Sequence, residues 1–140
     1  MNFLNTVLLA LSLLAAPALA ADDASHFQLS PTILQKLMSA EAEMKLLQKP
    51  DEGLAAPDED KSIAAAIRRI DADPKTTAVL AKHGLTSRDL VLSTHALYHA
   101  GMFVSTESTL DEKKRAALYQ SYTSEQQANI DMIRAMHAAK

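Results

Sequence analysis

Two histidines one helical turn apart, in His95-Ala96-Leu97-Tyr98-His99, are the residues of this chain best placed to do chemistry. At i and i+4 on a helix, two imidazoles project from the same side and can share one metal ion. A zinc protease would carry Glu directly after the first His. Here that position is Ala96, so the spacing does not support that activity. Residues that could join the pair are Tyr98, Met102 and, in the last segment, Met132, Met136 and His137. A mixture of imidazole and thioether donors suits copper or haem better than zinc. The pattern therefore makes His95 and His99 candidate ligands, with His137 as a third, for copper, zinc or haem. The competing reading is a pair of core or boundary histidines satisfied by carboxylates or backbone carbonyls.

Other chemistry is sparse. Met38, Met44, Met102, Met132 and Met136 recur at helical spacings that suit adaptable core filling. Their alternative use is a soft apolar groove for a partner or an unfolded chain. Ser93 and His95 do not share a helix face as nucleophile and base would. The sequence carries no Gly-rich phosphate loop and no Gly-x-Ser-x-Gly, so it leans away from an enzyme. Residues 50–60 hold Asp51, Glu52, Asp58, Glu59 and Asp60, at spacings that match no calcium loop. Solvated acids and helix N-terminal charge account for them. Lys113-Lys114-Arg115 reads as a solvated face.

The elements that must position the histidines are helical. Ser30-Pro31 opens a helix with an N-cap and a Pro at the first position. Ile33, Leu34, Leu37, Met38, Ala40, Met44 and Leu47 form its apolar side, and it ends before Pro50. Ile63, Ala66, Ile67 and Ile70 mark a second helix. Asp73-Pro74 starts a third that runs through His83, and Gly84 supplies its left-handed cap. Thr86 and Asp89 then form a capping box, with Leu85 and Leu90 as a hydrophobic staple. Residues 73–104 thus read as a tight helix–turn–helix corner. Helix 87–104 is apolar nearly all round, with only Ser93 and Ala100 as a weak outer strip, which predicts a buried central helix. Gly101 is placed to permit a close crossing. Ser105–Thr109 reads as a loop and Asp111–Tyr122 as a short helix. A second capping box at Thr123 and Gln126 begins a last helix carrying Ile130, Ile133, Met136 and His137. Residues 21–29 read as a loosely held lead-in. The expectation is an all-α, compact bundle of about five helices around helix 87–104, forming a single domain over residues 21–140.

Composition narrows the class. The chain has 140 residues, enough for one domain. It has no Cys, which excludes disulfides, iron–sulfur clusters and thiolate zinc sites. A net charge of −3 with no basic face excludes nucleic acid as an expected partner. Few Gly and few β-branched or aromatic residues argue against a β-sandwich or barrel. All 14 basic and 17 acidic residues lie after Ala20. Residues 1–20 combine an apolar run from Val7 to Ala16, broken by Ser12, with Pro17 and an Ala18-Leu19-Ala20 ending. The run is about ten residues, half of what a bilayer span needs. This is the pattern of a signal peptide cleaved after Ala20, although its n-region has no Lys or Arg. It predicts export, most simply to a Gram-negative periplasm, with no membrane anchor after cleavage.

The segment Ala81-Lys82-His83-Gly84-Leu85-Thr86-Ser87-Arg88-Asp89-Leu90-Val91-Leu92, with the signal sequence and a final Ser/Asn-containing helix, resembles short exported all-helical proteins of proteobacteria. The likeness covers about the last two-thirds of residues 21–140. It implies a fold and a compartment but no activity. Tyr122-Thr123-Ser124-Glu125-Gln126 and Leu85-Thr86-Ser87-Arg88-Asp89 are also similar to the Leu-Thr-x-x-Gln motif of periplasmic stress chaperones of the Spy/CpxP type. Tyr replaces Leu in the first and Asp replaces Gln in the second, and the chain lacks those proteins' basic character. The expected function is an exported, non-enzymatic binding or interaction module with a protein or small-ligand partner. The alternatives are a metal- or haem-binding protein using His95 and His99, and a chaperone-like protein.

Overall fold

The first helix begins where Ser30 and Pro31 require it: the Ser30 hydroxyl accepts from the Ile33 amide at 3.1 Å, and Pro31 takes the first position. The computed structural model describes residues 23–47 and 62–139. The expected signal sequence over 1–20 with its expected cleavage point, the expected end of the first helix before Pro50, and the acidic segment 50–60 lie outside the described residues.

Among the described residues the fold is all-α, with six helices and two 3₁₀ turns. They are α1 (Pro31–Leu47), α2 (Ile63–Asp71), α3 (Pro74–Lys82), α4 (Ser87–Thr106), α5 (Glu112–Gln120) and α6 (Ser124–Ala138). The 3₁₀ turns are Ala24–His26 and Glu107–Thr109. Asp73 caps α3 through the Lys75 amide. Gly84, at φ +65°, closes it: the Leu85 amide bonds the Leu80 carbonyl at 2.9 Å and the Gly84 amide bonds the Ala81 carbonyl at 3.0 Å. Leu85 folds back on Leu80 and receives Leu90 from α4, which completes the staple. Both capping boxes, Thr86 with Asp89 and Thr123 with Gln126, are formed.

Two apolar clusters hold the helices. Ala40, Val79, Leu80 and Leu85 join α1, α3 and the corner, with Leu37, Met44, Ile70 and Leu90 around them. Ala100, Phe103, Ile130 and Ile133 join α4 to α6, flanked by Leu97, Tyr119 and Tyr122. The long helix α4 packs against α2, α6 and both 3₁₀ turns, so it is the hub of the bundle.

Four expectations are corrected here. First, α4 is not buried all round. Ser93 and Ala100, expected on its outer strip, are both 0% exposed, whereas Tyr98 is 69% exposed and Met102 is also open. Small side chains let neighbouring helices come close, so Ser93, Ala96 and Ala100 are buried together with Val91, Leu92 and Phe103, while Tyr98 and Met102 stay open. Second, Gly101 mediates no close crossing, since a Cβ there would meet nothing within 4 Å. Third, the methionines are not uniformly core: Met38, Met102 and Met136 are exposed, while Met44 packs on the first cluster. Fourth, α4 continues to Thr106 and the 3₁₀ turn Glu107–Thr109 follows it, where a loop over 105–109 was expected.

The lead-in is also held rather than loose. Asp23 caps the turn Ala24–His26, and Leu29 is buried. Asn129 of α6, 1% exposed, accepts from the Leu29 amide through Oδ1 at 2.8 Å. Its Nδ2 donates to the Phe27 carbonyl at 2.8 Å. The Thr123 hydroxyl donates to the Ser25 carbonyl beside it. A second polar anchor, at the surface, ties α1 to α3, where Glu43 bonds Lys82 Nζ at 2.8 Å and His83 Nε2 at 2.9 Å.

Candidate functional site

Helix α4 places His95 and His99 on its open strip. His95 is exposed and His99 is half-buried. Both line a cleft of about 450 Å³. Its floor is α4, one wall is the turn at Ala24 and Ser25, and the other wall comes from Leu118, Tyr122 and the first part of α6. Tyr98 and Met102 stand on the same open side. The cleft exists because segments distant in sequence converge on α4. Asn129 joins two of these segments and also lines the cleft.

Tyr122 fixes the position of one imidazole. Its ring meets His99 edge-on, with centroids 4.5 Å apart and planes at 83°. It meets Phe103 in the same way at 5.7 Å, so His99 is packed against an ordered aromatic pair. Burial holds the His99 pKa below the usual histidine value, which favours the neutral ring with a free lone pair. Neither His95 nor His99 has a hydrogen-bond or ion-pair partner among the described residues. The reading in which carboxylates or carbonyls satisfy the pair is therefore not what the fold shows.

The far end of α4 is locked separately. The Arg134 guanidinium reaches both Glu107 carboxylate oxygens and bonds Asp131 at 2.8 Å. It also lies over the rings of Phe103 and Tyr119, at 5.4 and 5.1 Å. These contacts hold its pKa above the usual arginine value, led by the Glu107 bond. Asn129 sits by the cleft, whereas Arg134, farther along α6, reaches Glu107. His137 lies beyond Arg134 and is exposed. Glu107 is roughly 18 Å along the helix from His95 at 1.5 Å per residue. The fold therefore brings His95, His99 and Met102 to one cleft and leaves His137 outside it.

Among the described residues no three His, Cys, Asp or Glu side chains gather as a metal-ligand group. The nitrogen and sulfur donors that α4 brings to the cleft are two imidazoles and one thioether, and the hydroxyls and amides of Ser25, Tyr98, Thr106, Tyr122, Gln126 and Asn129 also line it. Ser93, two residues before His95, is fully buried with no hydrogen-bond partner, so it does not face the cleft as a nucleophile. Sequence reasoning missed Asn129, Tyr122 and the turn Ala24–His26. The available signal was a lone Asn beside Ile130 in an apolar stripe, which requires buried partners. No helix among the described residues is long and apolar enough to cross a membrane. Comparisons of the chain with protein-family models, curated proteins and solved structures give no match.

Proposed function

We propose that this chain is an exported, non-enzymatic helical binding protein and that the cleft along α4 is its binding site. The N-terminal sequence pattern supports export to a Gram-negative periplasm. The observation that carries the binding reading is the pair His95 and His99, both without polar partners, on a cleft of about 450 Å³. An imidazole without a polar partner, lodged against aromatic rings, adds nothing to the core that an apolar residue would not. It does offer a donor to a ligand. The cleft also has the composition of a ligand site, with apolar and aromatic walls and a few polar groups that could orient a guest.

The test has two parts. The chain is expressed in a Gram-negative host, and the periplasmic form should have an N-terminus at Ala21. Native mass spectrometry of that form should show a retained mass, or a mass gained from periplasmic extract, that Met102→Trp removes by filling the cleft. A chain that stays cytoplasmic and unprocessed would overturn the export reading. A protein with no bound mass, or with one indifferent to Met102→Trp, would overturn the binding reading.

A second reading rests on α1, where Met38, Leu46 and Leu47 present exposed apolar side chains. Such a surface suits a chaperone-like role toward unfolded chains. Suppression of aggregation of an unfolded client at near-stoichiometric ratio, lost in Leu46→Glu, would support it. No suppression would remove it.

A further inference from the structure

We infer that the cleft takes one copper ion in its monovalent state, held by the imidazoles of His95 and His99 and the thioether of Met102. This rests on the cleft being a binding site and names its ligand. The three residues follow one another at four and three positions along α4, so they occupy successive turns of one strip, and all three line the cleft. At i and i+4 their Cβ atoms are about 5–6 Å apart, a separation that lets two imidazoles meet at one ion. The third donor, one turn farther on, is soft and polarisable.

The donor set decides the metal. No Asp or Glu lines the cleft, so calcium and magnesium find none of the carboxylates they need. Thioether sulfur favours monovalent copper over zinc. A single positive charge also costs less to place beside Tyr122, Phe103 and Leu118 than a double one, since no carboxylate is there to compensate it. The edge contact with Tyr122 fixes the ring that would carry the ion.

The test is anaerobic titration of the purified chain with Cu(I) against bathocuproine disulfonate, read by absorbance, with circular dichroism confirming the fold of every variant. We expect one Cu(I) per chain. His95→Ala and His99→Ala should each weaken it by more than about 100-fold, the upper end of what loss of a mere supporting partner costs. His95 is exposed, so that variant keeps its fold. Met102→Leu, of similar volume, should weaken Cu(I) by at least about tenfold and leave any Zn(II) binding unchanged. His137→Ala should change nothing. Absence of a one-to-one Cu(I) complex would overturn the inference. So would indifference to His95→Ala, or a Met102→Leu effect equal for Cu(I) and Zn(II). If Cu(I) fails while an organic mass is retained and lost in Met102→Trp, the copper assignment falls and the cleft stands as the binding site. If nothing binds, both fall.

Discussion

Asn129→Ala tests whether one buried amide assembles the wall of the cleft. The side chain is 1% exposed and makes two hydrogen bonds of 2.8 Å, one accepted from the Leu29 amide and one donated to the Phe27 carbonyl. Truncation leaves one backbone donor and one acceptor without partners. Each such buried group costs about 1–3 kcal/mol, so the pair costs on the order of 2–6 kcal/mol, less what is regained by no longer burying the amide itself. A net loss of about 2–4 kcal/mol is expected if the segment stays in place. It need not stay. Against that loss stands chiefly the burial of Leu29, worth about 2 kcal/mol. The cheaper response is detachment of residues 23–29, after which Leu29 and Phe27 are hydrated again. Detachment caps the fall in global stability and moves the effect to the lead-in.

Hydrogen exchange separates these outcomes. The Leu29 amide should lose protection by a factor of about 30 or more, corresponding to about 2 kcal/mol at 1.4 kcal/mol per decade. The α3 and α4 amides around Leu80 and Leu92 should keep most of theirs. Asn129→Asp should behave nearly as badly, since a carboxylate can accept from Leu29 but cannot donate to Phe27. Unchanged Leu29 protection in both variants, with a global loss below about 0.5 kcal/mol, would refute the role given to Asn129.

Four further outcomes are expected. Gly101→Ala should raise stability by about 0.4–1 kcal/mol in urea unfolding, because the site lies inside α4 and a Cβ meets nothing within 4 Å; a lower midpoint would show that the helix needs Gly there. Ser93→Ala should be stabilising by about 1 kcal/mol, because it removes a fully buried hydroxyl with no hydrogen-bond partner. Arg134→Lys should cost about 1–2 kcal/mol, since Lys cannot reproduce the fork to Glu107 and Asp131 or lie flat over Phe103 and Tyr119. The fourth is a pH dependence. The folded His99 pKa is lowered by burial, so the unfolded chain takes up its proton first as pH falls. Stability should therefore decline as pH drops below the ordinary histidine value and level off below the folded one. His99→Phe should remove that part of the slope, and an unchanged slope would place it elsewhere.

The parts of this fold that can be read from the sequence are those decided within a few residues. Ser30-Pro31, Asp73-Pro74, Gly84 and the boxes at Thr86 and Thr123 act on backbone groups two to five positions away, so their chemistry is written locally. The sense of burial on α4 is not local. Tyr98 and Met102 are apolar, and periodicity alone assigns them inward, yet the neighbours approach along Ser93, Ala96 and Ala100. What decides this is the closeness of packing that small residues allow, a property of two helices together. The candidate site divides in the same way. His95 and His99 stand out by spacing, whereas Tyr122 reaches His99 only because α5 turns the chain back. Asn129 meets Leu29 across a separation of 100 residues, which no local pattern encodes.

The cleft and the lead-in are one structural unit, and this has a thermodynamic consequence. Ala24 and Ser25 form a wall of the cleft, and Asn129 both lines it and holds Leu29 and Phe27. A ligand that touches this wall binds the closed lead-in better than the detached one. At a hundred times its Kd such a ligand stabilises the closed form by about 2.7 kcal/mol, comparable to the cost of deleting the Asn129 amide. Linkage then requires reciprocity. If a ligand protects the Leu29 amide by some factor, detaching the lead-in must weaken that ligand by the same factor. A bound ion held by His95, His99 and Met102 alone touches only α4. It should leave Leu29 exchange unchanged and bind equally well to Asn129→Ala. A larger guest that fills the cleft to Ala24 should do neither. Whether a saturating ligand slows Leu29 exchange at all therefore reports whether it reaches the wall at Ala24.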